Sequence, residues 1–212
     1  MTATSALLLC ALVVAIAAFL LDRLRGRFAP SRASLAPPKG SARAGVLYAF
    51  TRAFAPTAKE SASRHLPTYA AGIAYHLAIF AMLATLLASL GGAAIPRAVA
   101  GSEAVLFAVG TACGLGLLVK RRLSPNLAAI SVPDDVLANA LVDVALATGL
   151  VACLVPGALP AFQVAGAALL LYAPLGKLRH MWYLLASRSR LGATLGRRGV
   201  RPAARPIGSG HD

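Results

Sequence analysis

Apolar and polar positions alternate along this chain in blocks, with long apolar stretches at residues 5–21, 68–90, 103–119, 135–155 and 158–184. Each approaches or exceeds the roughly 20 helical residues needed to cross a hydrocarbon core. Backbone amides in lipid must be paired within their own segment, which leaves helices or a closed barrel. No alternating ten-residue pattern supports a barrel. The expected fold class is therefore all-α, a polytopic membrane protein built as a bundle of five transmembrane helices.

The polar breaks sharpen this outline. The first connection opens on "RGRFAPSRASLAPPKGSARAG", too rich in Pro, Ser and Ala for a regular element. The following "VLYAFTRAFAPTAKESASRH" suits a short amphipathic helix lying on the membrane surface. Pro67 fits the first turn of helix two, where its missing N–H costs nothing. Helix three stops at "VKRRLSP", and Asp134 and Asp135 favour the start of helix four. Pro156 and Pro160 bracket a tight turn, and Pro174 should kink or loosen helix five. The last dozen residues, "RPAARPIGSGHD", read as disordered, and no internal repeat is present. The expected organisation is a first transmembrane helix (1–22), a basic connection with an interfacial helix (23–67), a four-helix membrane core (68–186) and a basic tail (187–212).

Composition agrees with the pattern. Of 212 residues 58% are hydrophobic and 13% charged, with mean hydropathy +0.72; soluble domains carry roughly 25% charged residues. In "SALLLCALVVAIAAFLLDRLRGR" the basic residues follow the apolar run and no small-x-small cleavage site closes it, so it reads as a retained helix and not a secretory signal.

Charge adds an orientation. The net charge is +14, and of the 21 Lys and Arg only Arg97 falls on one side of the alternating topology. Positive residues mark the cytoplasmic side. This places the N-terminus outside and the C-terminus in the cytoplasm. Basic flanks of this kind face anionic membrane lipid, and nothing beyond bulk charge points to nucleic acid. Cys10, Cys113 and Cys153 each lie inside an apolar helix without the close pairing of a zinc or iron–sulfur site, and read as packing residues.

Candidate chemistry rests on the histidines. His211 belongs to the tail. His65 sits beside Arg64 at the membrane boundary, where a headgroup, a partner or a propionate is within its reach. His76, inside "AGIAYHLAIFAM", falls about 12 Å deep from the cytoplasmic end of helix two. His180 lies in the cytoplasmic part of helix five. Ionisable residues inside a membrane point to function by default, and two imidazoles on separate helices suit the axial ligation of a b-type haem iron. Gly72 and Gly176 each precede a histidine by four residues and would clear room for a flat macrocycle. Arg179, Lys177 and Arg64 are candidates for the propionates. Another metal, or a hydrogen bond from each imidazole to a neighbouring helix, is the competing reading.

Three segments, "YHLAIFAMLATLL", "GLLVKRRLSPNLAAISVPDDVLANALV" and "LLLYAPLGKLRHMWYLL", fall in order on helices two, three to four, and five. Over roughly residues 68–200 the pattern resembles the gamma subunit of respiratory nitrate reductase, a family of five-helix membrane cytochromes b. The ending "RSRLGATLGRRGV" is similar to the related membrane subunits of sulfite-reduction and heterodisulfide-reductase-type complexes. The resemblance implies iron ligation by His76 and His180 in the haem nearest the cytoplasm. It also implies a second histidine pair, which would fall at Leu86 and Phe162. Both losses affect the same outer haem, so a single haem b is expected.

By the same resemblance the chain would be a membrane anchor and electron-transfer subunit, non-catalytic or quinol-oxidising. Electrons would pass from quinol through haem to an iron–sulfur or catalytic subunit on the cytoplasmic side of a bacterial or archaeal inner membrane. No cysteine cluster, Rossmann glycine pattern or nucleophile constellation lets the chain supply that chemistry itself. "KRRLSP" and the basic tail are candidate docking surfaces. Asp143, with Asn139 one turn away, suits a proton relay, a quinone contact or a local hydrogen bond. Arg97 suits an outer quinone or the membrane interface. Two other functions fit the topology: a small transporter, which would show an inverted repeat or broken helix pairs, and a haem-free anchor for a soluble enzyme.

Overall fold

The structure, a computed structural model, describes residues 1–27, 37–58 and 60–200. The early first connection and the C-terminal dozen with His211 lie outside the described residues. Among the described residues nine α-helices follow in order: α1 (Ala3–Arg27), α2 (Ala42–Phe50), α3 (Glu60–Arg64), α4 (Leu66–Ala88), α5 (Arg97–Leu123), α6 (Pro125–Ala129), α7 (Pro133–Leu154), α8 (Leu159–Tyr172) and α9 (His180–Arg197). No strand occurs among the described residues.

Four helices, α1, α4, α5 and α7, are long and apolar enough to cross a membrane. Their exteriors say the same. At most 39% of the apolar window of any of them is buried, and the exposed residues include Leu7, Val13, Val14, Ile16 and Leu20 on α1 alone. Leaving such a side chain in water forgoes roughly 1.5–3 kcal/mol, so this exterior suits lipid. The fifth expected span is broken: α8 and α9 pass the same test only as a bent pair. Pro174 has no N–H to donate and its ring crowds the preceding turn. The chain accordingly turns, with Leu175 and Gly176 both donating to the Tyr172 carbonyl at 2.9 and 3.0 Å.

Two further boundaries differ from the sequence expectation. The interfacial helix expected across residues 46–65 is four pieces: α2, two 3-10 turns (Arg52–Phe54 and Pro56–Ala58), and α3. Helix three begins at Arg97 instead of residue 103, which brings Glu103 well inside it.

The chain divides into two compact units, Met1–Gly26 with Pro67–Arg179, and Arg27–Leu66 with His180–Asp212. The first is the bundle. Its core joins Leu8 and Ala11 to Tyr75, Ala78, Met82 and Leu86, and these to Phe107, Leu146, Phe162 and Leu169. Small residues let the backbones approach, as helices in lipid require. A Cβ on Gly166 would strike Leu86 at 2.5 Å, and one on Gly149 would meet Phe162 at 2.9 Å and Phe107 at 3.2 Å.

The second unit is an antiparallel pairing of α2 with α9 along a glycine seam. A Cβ on Gly45 would stand 2.5 Å from the Gly196 Cα, and one on Gly192 would stand 2.7 Å from the Gly45 carbonyl oxygen. At one end Lys39 and Gly40 N–H groups donate to the Arg197 carbonyl at 2.8 and 3.0 Å. At the other, the Arg188 guanidinium donates twice to the Ala49 carbonyl, at 3.1 and 2.8 Å, and lies 4.1 Å over the Phe54 ring. Those contacts satisfy a carbonyl in the last turn of α2 that the helix itself leaves open.

Candidate functional site

His76 stands on the exposed face of α4, one position beyond the inward-facing Tyr75. Its ring meets the Tyr75 ring edge-on, centroids 6.3 Å apart and planes at 81°. Its Nδ1 lies 2.7 Å from the carbonyl oxygen of Gly72, one turn back. A carbonyl only accepts, so Nδ1 carries a proton, and in the neutral ring the lone pair is then on Nε2. Metal-bound histidines commonly donate their second ring N–H to a backbone carbonyl in this way. Beside Gly72 the space is open, with no atom within 4 Å of where a Cβ would stand. A metal-ready imidazole with clearance beside it is what an axial haem ligand needs.

Tyr75 points the other way, into the bundle. Its hydroxyl donates to Asp143 Oδ1 at 2.8 Å, and Asn139 Nδ2 donates to Tyr75 Oη at 2.8 Å and to Asp143 Oδ2 at 3.2 Å. Asp143 thus forms the interhelical hydrogen bond that competed with a relay role in the sequence. The ring is sealed from behind by Gly114, where a Cβ would strike the Tyr75 ring at 2.6 Å and the Asp143 carboxylate.

At the start of α7 a second polar cluster holds the turn after α8. Tyr172 Oη donates to the Asp134 carboxylate, and the Lys177 backbone N–H donates to Asp134 Oδ2 at 3.0 Å. Lys177 Nζ bonds Asp135 Oδ1 at 2.7 Å, with Arg121 3.5 Å from the same oxygen. Lys177, a sequence candidate for a propionate, is therefore paired with Asp135. In "KRRLSP" Lys120 bonds Thr68 and Arg121 bonds Asp135 and Ser131, so two of its three cations are engaged. The room expected beside Gly176 is filled by Tyr172, whose ring and hydroxyl a Cβ there would strike. Arg179 ends the 3-10 turn Lys177–Arg179 and is exposed; its side chain makes no hydrogen bond or ion pair among the described residues. His180 follows as the first residue of α9, also exposed. It belongs to the second unit, whereas His76, Gly72, Gly176 and Arg179 belong to the first. His65 is exposed in the turn between α3 and α4.

Where a second histidine pair would fall, the core is solid. Leu86 seats in the notch at Gly166, and Phe162 is fully buried with its ring 6.4 Å from that of Phe107. Nearby, Gln163 ties three segments together. Its Nε2 donates to the Ser89 carbonyl at 2.8 Å and to Ser5 Oγ at 3.2 Å, while Oε1 accepts from Thr4 at 2.6 Å. Arg97 is exposed and lines a cavity of about 210 Å3 with Ala100, Cys153 and Leu159. Glu103 accepts from Thr85 at 3.0 Å through Oε1, while its buried Oε2 has no partner among the described residues. Sequence reasoning singled out neither Gln163 nor Glu103. Each is a polar side chain in an otherwise apolar run, a signal as plain as that of His76.

Among the described residues no three His, Cys, Asp or Glu side chains converge on a point; two-histidine axial ligation needs no such group. Fold and surface together define a class, an all-helical protein with four helices able to cross a membrane and a fifth apolar stretch broken in two. No family model, curated protein or solved structure matches the chain.

Proposed function

We propose that the chain is a membrane cytochrome b, resembling the five-helix nitrate reductase gamma family, that anchors a cytoplasmic iron–sulfur or catalytic partner and exchanges electrons with quinones. The observation that carries this reading is the state of His76. Its Nδ1–H is fixed by the Gly72 carbonyl at 2.7 Å, which in the neutral ring leaves the Nε2 lone pair for a metal, and the neighbouring glycine leaves open space. His76 and His180 would be the axial ligands of one haem b, with Arg179 and Arg64 as candidates for its propionates. Bound there, the group would supply a one-electron carrier close to the cytoplasmic surface. The chain's own part is to present two imidazoles and to hold the Nδ1–H of His76 on the Gly72 carbonyl.

The packing of Leu86 and Phe162 supports one haem and not two, because those side chains fill the core where a second pair of ligands would stand. The test is the haem content of the purified protein, extracted and converted to its pyridine complex: one haem b per chain is expected, and none would reject the reading. Bias of Lys and Arg to one side supports an external N-terminus and a cytoplasmic C-terminus. In a variant lacking Cys10, Cys113 and Cys153, a cysteine at Gly91 should react with an impermeant reagent added outside cells, and one at Ser131 should not. The reverse labelling would invert the topology.

A further inference from the structure

The second unit exposes a surface with two characters. On α9 the seam residues Gly192 and Gly196 face α2, and one flank carries Leu184 and Leu191, both exposed. The arc away from α2 carries Arg190, Thr194 and Arg197. On α2, Leu47 is 66% exposed. Neither helix contains an acidic residue. Trp182 and Tyr183, aromatic types that favour the headgroup level, are exposed in the first turn of α9.

A helix with a Leu flank and an Arg crest, in a helix pair without acidic residues, has the composition of an element that lies in the plane of a bilayer. The glycine seam adds a physical reason for two helices. Backbones in direct contact make a thin, rigid hairpin whose exposed apolar side chains are available together, and Arg188 locks it by closing the end of α2. We propose that the α2–α9 hairpin is a membrane-surface module: its exposed leucines enter the interface and its arginines engage anionic lipid headgroups. The occupant of this surface is lipid, not an acidic protein partner, because the exposed apolar side chains accompany the charge and the chain's own spans keep a bilayer at hand. The proposal needs the membrane but not the haem, so an optical spectrum without haem leaves it standing.

Trp182 is the single tryptophan of the protein, so its fluorescence reports on α9 alone. The full-length protein is reconstituted into phosphatidylcholine vesicles brominated either near the headgroup or near the chain ends, with and without phosphatidylglycerol. Expected are stronger quenching by the shallow bromines, and a gain in quenching when anionic lipid is added that salt reverses. Arg190→Glu and Arg197→Glu should each reduce the surface-bound population roughly fivefold. A second reporter, Leu47→Trp in a Trp182→Phe background, should follow the same depth. Stronger quenching by the deep bromines would mean that α9 spans, and would overturn the proposal. So would absence of quenching in both reporters, the outcome if protein covers the hairpin.

Discussion

At the scale of single residues, three glycines on facing helices do different jobs that a substitution separates. Gly72 borders open space, and glycine inside a helix is roughly 0.5–1 kcal/mol less favourable than alanine. Gly72→Ala should therefore stabilise the haem-free protein by about that amount in thermal unfolding, whereas Gly72→Leu should leave the fold intact and lower haem content. Equal haem content in Gly72→Leu would show that nothing flat lies over that turn. Gly114 is the opposite case, since the Tyr75–Asp143 pair occupies the space its side chain would need. Gly114→Ala should cost about 1–3 kcal/mol by overpacking in detergent unfolding, while Gly116→Ala, with nothing within 4 Å of its Cβ, serves as the neutral control. A neutral Gly114→Ala would mean that the polar ring does not lock α4 to its neighbours.

At the scale of elements, the four spans were legible because a run of apolar residues long enough for a bilayer has few other uses. The break between α8 and α9 was legible only as a weakness at Pro174; hydropathy does not register that the chain turns there, because the residues on both sides stay apolar. The seam of the second unit was half legible. "GATLG" places two glycines on one helix face, but its counterpart Gly45 lies some 150 residues away and pairs with it only in three dimensions. The polar ring around Asp143 was legible at Asp143 and Asn139 and not at Tyr75, since a tyrosine in an apolar run reads as packing. Gly45→Val puts branched bulk into backbone contact and should open the hairpin. Its readout is faster amide hydrogen exchange across residues 42–50 and 188–197, with the exchange of α7 unchanged. Unchanged exchange in the hairpin would contradict the seam.

At the scale of the whole molecule, what the histidines do was legible as chemistry and not as geometry. The sequence pairs His76 with His180 by topology, and the structure adds the tautomer of one of them. It also reassigns neighbours: Lys177 belongs to Asp135 and the space at Gly176 belongs to Tyr172. Gly72 borders open space, and Arg179 makes no hydrogen bond or ion pair among the described residues. A carrier built from two imidazoles has a simple signature. Each is indispensable to a six-coordinate iron, while the core of the bundle, which neither histidine enters as a packing residue, should survive the loss of either.

The most direct measurement is the reduced-minus-oxidised absorption spectrum of the purified protein and of its His76→Ala and His180→Ala variants, each checked for helix content by circular dichroism. The expected result is a Soret and α band of a b-type haem in the parent, lost or converted to a high-spin spectrum in both variants at unchanged helicity. A parent without these bands, or a band indifferent to both substitutions, would contradict the account.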